Sequence, residues 1–127
     1  MRFMLMTKAN QNSEAGVPPT PELIAAIGKL AQEMTQAGKL VETGGLLPSS
    51  CGARVTLSGG KMSVTDGPFA EAKELIGGFA IVNVESKQEA IDLTKRFLQI
   101  HADVLGTNYE AESEVRQMHE PMAGPRK

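Results

Sequence analysis

The segment from Thr65 to Phe79, TDGPFAEAKELIGGF, holds the residues best suited to chemistry in this chain. Its opening turn, Asp66-Gly67-Pro68-Phe69, joins a carboxylate to a glycine with wide backbone freedom and a proline that suits the first position of a helix. The Asp66 carboxylate could cap exposed backbone amides, which is the structural interpretation, or it could act as a general acid or base. Asp66 is therefore the candidate catalytic residue, with both interpretations open.

Three more charged residues, Glu71, Lys73 and Glu74, follow the turn. Glu71 and Glu74 share one face of a helix because they are three residues apart, whereas Lys73 lies off that row. Amides exposed at the start of a helix could hold a carboxylate, a phosphate or a water molecule. Solvated or salt-bridged side chains are the alternative for the two glutamates. The candidate ligand-binding residues of this segment are Gly67, Phe69, Glu71, Lys73 and Glu74.

A second set of charges lies near the end of the chain. Glu112, Glu114 and Arg116 alternate, so they point to one face of a strand. Arg116 could hold an anionic ligand through two parallel hydrogen bonds, which makes it a further candidate ligand-binding residue. The alternative is an edge strand whose charges discourage aggregation.

Other kinds of site lack their sequence signals. His101 and His119 are interpreted as solvated or structural residues, and Cys51 has no basic neighbour that would activate it as a nucleophile. The chain has no H-x-H, H-E-x-x-H or C-x-x-C spacing, and the glycine pairs that begin at 44, 59 and 77 match no nucleotide-binding loop. The sequence therefore predicts neither a metal nor a cofactor.

A mixture of strands and helices must position these residues. Thr20-Pro21 begins a helix that Gly38 ends, and Ser86 begins a second helix through an S-x-x-E capping box. The first half of the chain is expected to form a strand at 2–7, a mobile loop at 9–19, a helix at 20–38, a strand at 40–47 and a hairpin of 54–57 and 61–65. The second half is expected to form one or two helical turns at 69–75, a strand at 78–84, a helix at 86–100, a connection at 101–108 and a strand at 109–118.

Without the hairpin, this order reads β-α-β twice. It predicts an α+β fold of the ferredoxin-like type, in which two helices cover one face of a four-stranded antiparallel sheet. The strands at 2–7 and 78–84 are apolar on both sides, so the second face also needs a cover. Packing two such sheets face to face provides it, and we therefore expect a homodimer. One domain is expected over residues 1–120, with a flexible tail at 121–127.

The composition of the chain limits the kinds of partner that it can bind. The chain has 127 residues, 4% aromatic residues, no Trp and a formal net charge of −2. Direct binding of nucleic acid needs basic and aromatic surfaces, so it is not expected. The single cysteine favours a reducing compartment, and we expect a cytoplasmic protein. No segment reaches the length of a membrane span, and the apolar run at 2–7 is too short for a signal peptide.

The run Thr65-Asp66-Gly67-Pro68-Phe69-Ala70-Glu71, with Lys73-Glu74 and Gly77-Gly78-Phe79 after it, resembles the signature of the DGPF branch of the YCII-related domain family. The resemblance extends to Arg2-Phe3-Met4-Leu5 and to Glu114-Val115-Arg116. It implies a ferredoxin-like fold in the dimeric α+β barrel group. Relatives in the wider family are suspected of enzymatic activity through a His–Asp pair in a cleft. This chain keeps Asp66 but has no histidine in its first helix or in the strand before it. The DGPF branch is associated with extracytoplasmic-function sigma factors, which implies a regulatory role.

Three functions follow from these observations. The chain could be an enzyme in which Asp66 is the acid or base and Arg116 orients an anionic substrate, or a sensor that uses the same pocket without chemistry. It could also be a protein-interaction module, with a sigma factor as the partner that the resemblance implies. The charged residues around a turn flanked by glycines favour a pocket beside the sheet that binds a small molecule. The presence of Arg116 predicts that this molecule is anionic.

Overall fold

The computed structural model describes residues 1–70 and 74–120, so the expected tail at 121–127 lies outside the described residues. Two long helices, a hairpin and four further strands lie within these ranges, as expected. The elements are β1 (Arg2–Lys8), α1 (Gln11–Glu14), α2 (Pro21–Gln36), β2 (Leu40–Gly45), a short 3-10 turn (Ser49–Cys51), β3 (Ala53–Ser58), β4 (Lys61–Asp66), β5 (Ile76–Asn83), α3 (Lys87–Leu105) and β6 (Ser113–Gln117).

Four of the strands form one antiparallel sheet in the order β2-β5-β1-β6, while β3 and β4 form a separate two-stranded ribbon. Residues of α2 and α3 pack with residues of β1 and β5 in a single core, so both helices cover the same face of the sheet. This confirms the predicted α+β fold with a four-stranded antiparallel sheet. The strand order is consistent with the ferredoxin-like arrangement.

Alternate residues of the central strands build the core on the helix side of the sheet. Phe3 lies opposite Val82, and these two side chains are 1% and 0% exposed. Leu5 lies opposite Ala80 on β5 and opposite Val115 on β6. The buried helix residues that meet this layer are Leu30, Met34, Ala90 and Leu93.

The other side of the sheet carries the intervening residues. Met4 lies opposite Ile81, and Met6 lies opposite Phe79. These four side chains, which we call the open face, are half-buried although they belong to the two central strands. The sequence predicts that a second copy covers this face, and the homodimer stays a prediction.

The segment at 9–19 differs from the mobile loop expected there, because it contains α1. Asn10 and Ser13 form a reciprocal capping box: the Asn10 side chain accepts a hydrogen bond from the Ser13 N–H, and the Ser13 hydroxyl accepts one from the Asn10 N–H, each at 2.9 Å. Ala9, just before the box, is 8% exposed. The usual sequence signal of a capping box has Glu or Gln at its fourth position. Because serine stands there instead, the sequence did not indicate this helix start.

The connection expected at 101–108 begins later than predicted, since α3 continues to Leu105. His101 is therefore a helical residue, and it is 8% exposed rather than solvated. Two strands are shorter than expected. β2 ends at Gly45, and β6 begins only at Ser113.

The predicted hairpin is confirmed as the ribbon of β3 and β4. Gly59 and Gly60 form its turn with positive φ angles of 59° and 77°, which glycine adopts without a steric cost. Cross-strand pairing places the apolar residues of both strands on one side of the ribbon. This apolar ribbon face consists of Val55, Leu57, Met62 and Val64, each between 64% and 70% exposed.

Candidate functional site

The turn after β4 is held against residues 49–52 by close backbone contacts. The Gly67 N–H donates to the Gly52 carbonyl oxygen at 2.9 Å. A Cβ atom on Gly67 would lie 1.8 Å from the carbonyl oxygen of Ser49, so a side chain here would collide with backbone. The glycine of the motif is therefore explained by this close approach.

Ser49 joins the turn to α1. Its backbone N–H donates to the Glu14 carboxylate at 2.8 Å, and its hydroxyl forms a short hydrogen bond with the other oxygen of the same carboxylate. The Phe69 N–H donates to the Ser49 hydroxyl oxygen at 3.0 Å. The Arg54 guanidinium lies 3.9 Å from the centroid of the Phe69 ring, in a cation–π contact. The motif thus connects the base of the ribbon to the 3-10 turn at Ser49–Cys51 and, through Ser49, to Glu14 of α1.

Replacing Ser49 with alanine is expected to lower the free energy of unfolding by about 1–3 kcal/mol, because the Phe69 N–H and the Glu14 carboxylate each lose a partner. Urea unfolding measures the change. Ser50→Ala is the matched control, since Ser50 is exposed, and it should stay within about 0.5 kcal/mol of the wild type. Equal effects of the two substitutions would contradict the fastening role of Ser49.

The helical turn expected at 69–75 does not begin where the sequence predicts. Residues 67–70 are not helical, and the peptide bond between Gly67 and Pro68 is cis. The reason is that the backbone amides of Gly67 and Phe69 are bonded to the 49–52 segment rather than arranged as the first turn of a helix. Asp66 is exposed, and its carboxylate caps no amide of a described residue.

The other predicted site residues are spread over the molecule. Glu71 and Lys73 lie outside the described residues, and Glu74 is exposed. Arg116 is 71% exposed at its side chain and pairs with Glu114, on an edge strand of the sheet. Among the described residues, no hydrogen bond or ion pair joins Arg116 to Asp66, so the structure does not bring these two together.

A cavity of about 820 Å³ lies between the helix side of the sheet and the two long helices. It occupies the end of the sheet at which β1 finishes and β5 begins. The residues at 16–20, which follow α1, supply part of its wall. Apolar side chains that line it include Leu5, Leu23, Ile27, Leu30, Phe97 and Leu105.

Three polar residues, which we call the polar cluster, line the same cavity: His101, Tyr109 and Asn10. The His101 ring stacks on Tyr109, with centroids 5.6 Å apart and an interplanar angle of 20°. The Asn10 side-chain amide donates to the Tyr109 hydroxyl oxygen at 3.2 Å. Sequence reasoning missed this cluster because Asn10 lies 99 residues from Tyr109, so no local spacing joins them. The helical spacing of Phe97 and His101 was a usable signal, since their rings meet at 4.7 Å.

A second, smaller hollow lies at the opposite end of the sheet and holds an ion pair. Lys39 Nζ is 2.5 Å from Glu89 Oε2. The hydrogen bond from Lys39 holds the pKa of the Glu89 carboxyl below its ordinary value, and a second hydrogen bond, donated by the Glu85 N–H, acts in the same direction. Both side chains are already paired, so this hollow offers a ligand less than the cavity does.

No group of three His, Cys, Asp or Glu side chains in residues 1–70 and 74–120 is arranged to hold a metal ion. No helix in the same ranges combines the length and the apolar character that crossing a bilayer requires.

Comparison with known proteins gave two matches. The profile of the family described as "YCII-related domain" matches residues 1–112. An uncharacterized protein from Rhizobium meliloti (strain 1021) is 35% identical over 69 residues, a stretch that covers 54% of this chain. The same stretch covers 56% of that protein, so the chain matches only about half the length of its curated relative.

Proposed function

We propose that this chain, which belongs to the YCII-related domain family, binds a small and largely apolar molecule in the cavity between the sheet and the helices. The observation that carries the proposal is the cavity, with about 820 Å³ of space and walls that are mostly apolar. Small-molecule sites commonly have volumes of about 300–1,000 Å³ and combine apolar walls with a few polar groups. The polar cluster supplies such groups here.

The roles predicted for Asp66 and Arg116 stay predictions beside this proposal. Neither residue lines the cavity, so an acid or base at Asp66 and an anion anchor at Arg116 would belong to a different surface. Lys8 is the one lysine, arginine or carboxylate residue in the described lining, and an anionic ligand in the cavity would pair with it. Variants Asp66→Asn and Arg116→Ala are expected to bind a cavity ligand as the wild type does.

A thermal-shift screen against a metabolite library tests the proposal. A ligand at about 100 times its Kd raises the free energy of unfolding by about 2.7 kcal/mol, which corresponds to several degrees in Tm for a chain of this size. Ile27→Trp should weaken the shift, because Ile27 lines the cavity and the larger indole intrudes into the space that the ligand occupies.

Ile24→Trp is the matched control for this screen. It introduces the same side chain on the same helix, at a position that is 55% exposed and outside the described lining, so the ligand shift should persist. A hit that survives Ile27→Trp but is lost in Asp66→Asn or Arg116→Ala would place the site on the other surface. A library that yields no hit at all would count against a binding function.

A protein-interaction role is the second candidate function, and the apolar ribbon face favours it. Large contiguous apolar patches are uncommon on monomeric proteins and usually mark an interaction surface. We propose that the partner is a second copy of the chain, which would contact the apolar ribbon face in addition to the open face, where the sequence predicts the dimer contact. A sigma factor of the extracytoplasmic-function class is the alternative partner, and it rests on the family resemblance alone.

A further inference from the structure

We propose that the polar cluster recognises a neutral hydroxyl group on the ligand, with Tyr109 donating a hydrogen bond to it and His101 accepting one from it. This inference rests on the proposed function, because it assigns a chemical class to the molecule that the cavity holds. The ligand is then an apolar framework with one alcohol, phenol or enol group. Two atoms of the cluster, one acceptor and one donor, remain free to bond such a group.

The acceptor is Nε2 of His101. Nδ1 lies 2.9 Å from the carbonyl oxygen of Phe97, which can only accept, so Nδ1 carries a proton. In the neutral ring, Nε2 is then the acceptor. Nε2 has no hydrogen-bond partner among the described residues. Every fully buried side-chain nitrogen or oxygen of these residues has a partner, so Nε2 cannot be fully buried. Since His101 lines the cavity and is otherwise buried, Nε2 opens towards that space.

The donor is the hydroxyl group of Tyr109. Asn10 Oδ1 accepts from the Ser13 N–H at 2.9 Å, which fixes the amide orientation and makes Nδ2 the group that faces Tyr109. The tyrosine oxygen therefore accepts a hydrogen bond from Asn10, and its own proton is left for another acceptor. Because the two rings stack, the hydroxyl does not bond the imidazole beside it.

One free donor beside one free acceptor is the complement of a hydroxyl group, which both accepts and donates. A hydrocarbon would leave both protein groups unsatisfied after displacing water, at a cost of about 1–3 kcal/mol for each group. A carboxylate would place its negative charge against the lone pair of Nε2. The arrangement therefore favours the hydroxyl over both alternatives.

Titration with three probes of one shape tests this inference: 2-naphthol, naphthalene and 2-naphthoate. The chain has no Trp, so the fluorescence of the probes can be followed directly. The wild type is expected to bind 2-naphthol at least about tenfold more tightly than naphthalene, which is about 1.4 kcal/mol. His101→Phe keeps an aromatic ring of similar size and should reduce this ratio to near one, with naphthalene affinity unchanged. Tyr109→Phe should reduce it several-fold.

Controls separate the failure of this inference from the failure of the proposed function. His119→Phe makes the same change at an exposed histidine and should leave the ratio as in the wild type. Equal wild-type affinity for 2-naphthol and naphthalene would overturn hydroxyl recognition while leaving the cavity as the binding site. Tighter binding of 2-naphthoate would overturn it in favour of an anion paired with Lys8. A probe affinity that Ile27→Trp leaves unchanged, measured by calorimetry because this variant contains a Trp, would contradict the cavity itself. So would an absence of probe binding to the wild type.

Discussion

Gly67→Ala is expected to lower the free energy of unfolding by about 1–3 kcal/mol or more, the range observed for overpacked positions. The added Cβ would lie 1.8 Å from the Ser49 carbonyl oxygen, which is backbone and cannot swing aside as a flexible side chain can. The φ angle at Gly67 is not positive, so the cost is steric rather than conformational. Urea unfolding, with amide exchange in the ribbon as a second readout, measures it.

Gly28→Ala is the matched control and should have the opposite sign. Gly28 lies inside α2, where nothing stands within 4 Å of an added Cβ atom. Alanine in a helix interior is more stable than glycine by about 0.5–1 kcal/mol, so this variant should gain stability. If Gly67→Ala were as stable as the wild type, the close approach to Ser49 could not be the reason for glycine in the motif.

Ile81→Glu is expected to convert the predicted homodimer into a monomer. Ile81 lies opposite Met4 in the open face, and in a two-fold interface the substitution introduces a carboxylate from each copy. Burial of unpaired charge is strongly unfavourable, so the Kd of the dimer should rise by at least about 100-fold. Light scattering after size exclusion should give twice the chain mass of 13.5 kDa for the wild type and the chain mass for the variant.

Ile24→Glu is the control for this experiment, since it makes the same change on the helix side at a residue that is 55% exposed. It should remain dimeric. A wild type that is monomeric at all concentrations tested would refute the homodimer. Dissociation by Ile24→Glu but not by Ile81→Glu would place the interface on the helices instead of the open face.

The elements that the sequence predicted correctly are those with local signals. Thr20 caps α2 through a hydrogen bond from the Leu23 N–H at 3.2 Å, and Gly38 follows the helix with a positive φ of 73°. Ser86 likewise accepts from the Glu89 N–H at 3.1 Å at the start of α3. In each case the residues concerned lie within a few positions of one another, so their spacing alone carries the information.

The candidate site was less predictable because its contacts join distant segments. Ser49 and Glu14 are 35 residues apart, and Asn10 and Tyr109 are 99 apart. His101 is buried and stacks on Tyr109, a contact that nothing in the residues around either position indicates. The conspicuous Asp66-Gly67-Pro68-Phe69 motif did identify the family correctly. Its contacts, however, connect the ribbon to residues 49–52, which is a structural role rather than a catalytic one.

The ribbon of β3 and β4 also has a kinetic consequence. Its residues are exposed along both strands, so its backbone hydrogen bonds have little cover apart from the joint at Ser49 and Gly67. Such a unit can open and close while the core stays folded, which gives its amides low protection against exchange with deuterium. If a second copy packs on the ribbon, that protection should increase with protein concentration, whereas in a monomer it should be independent of concentration.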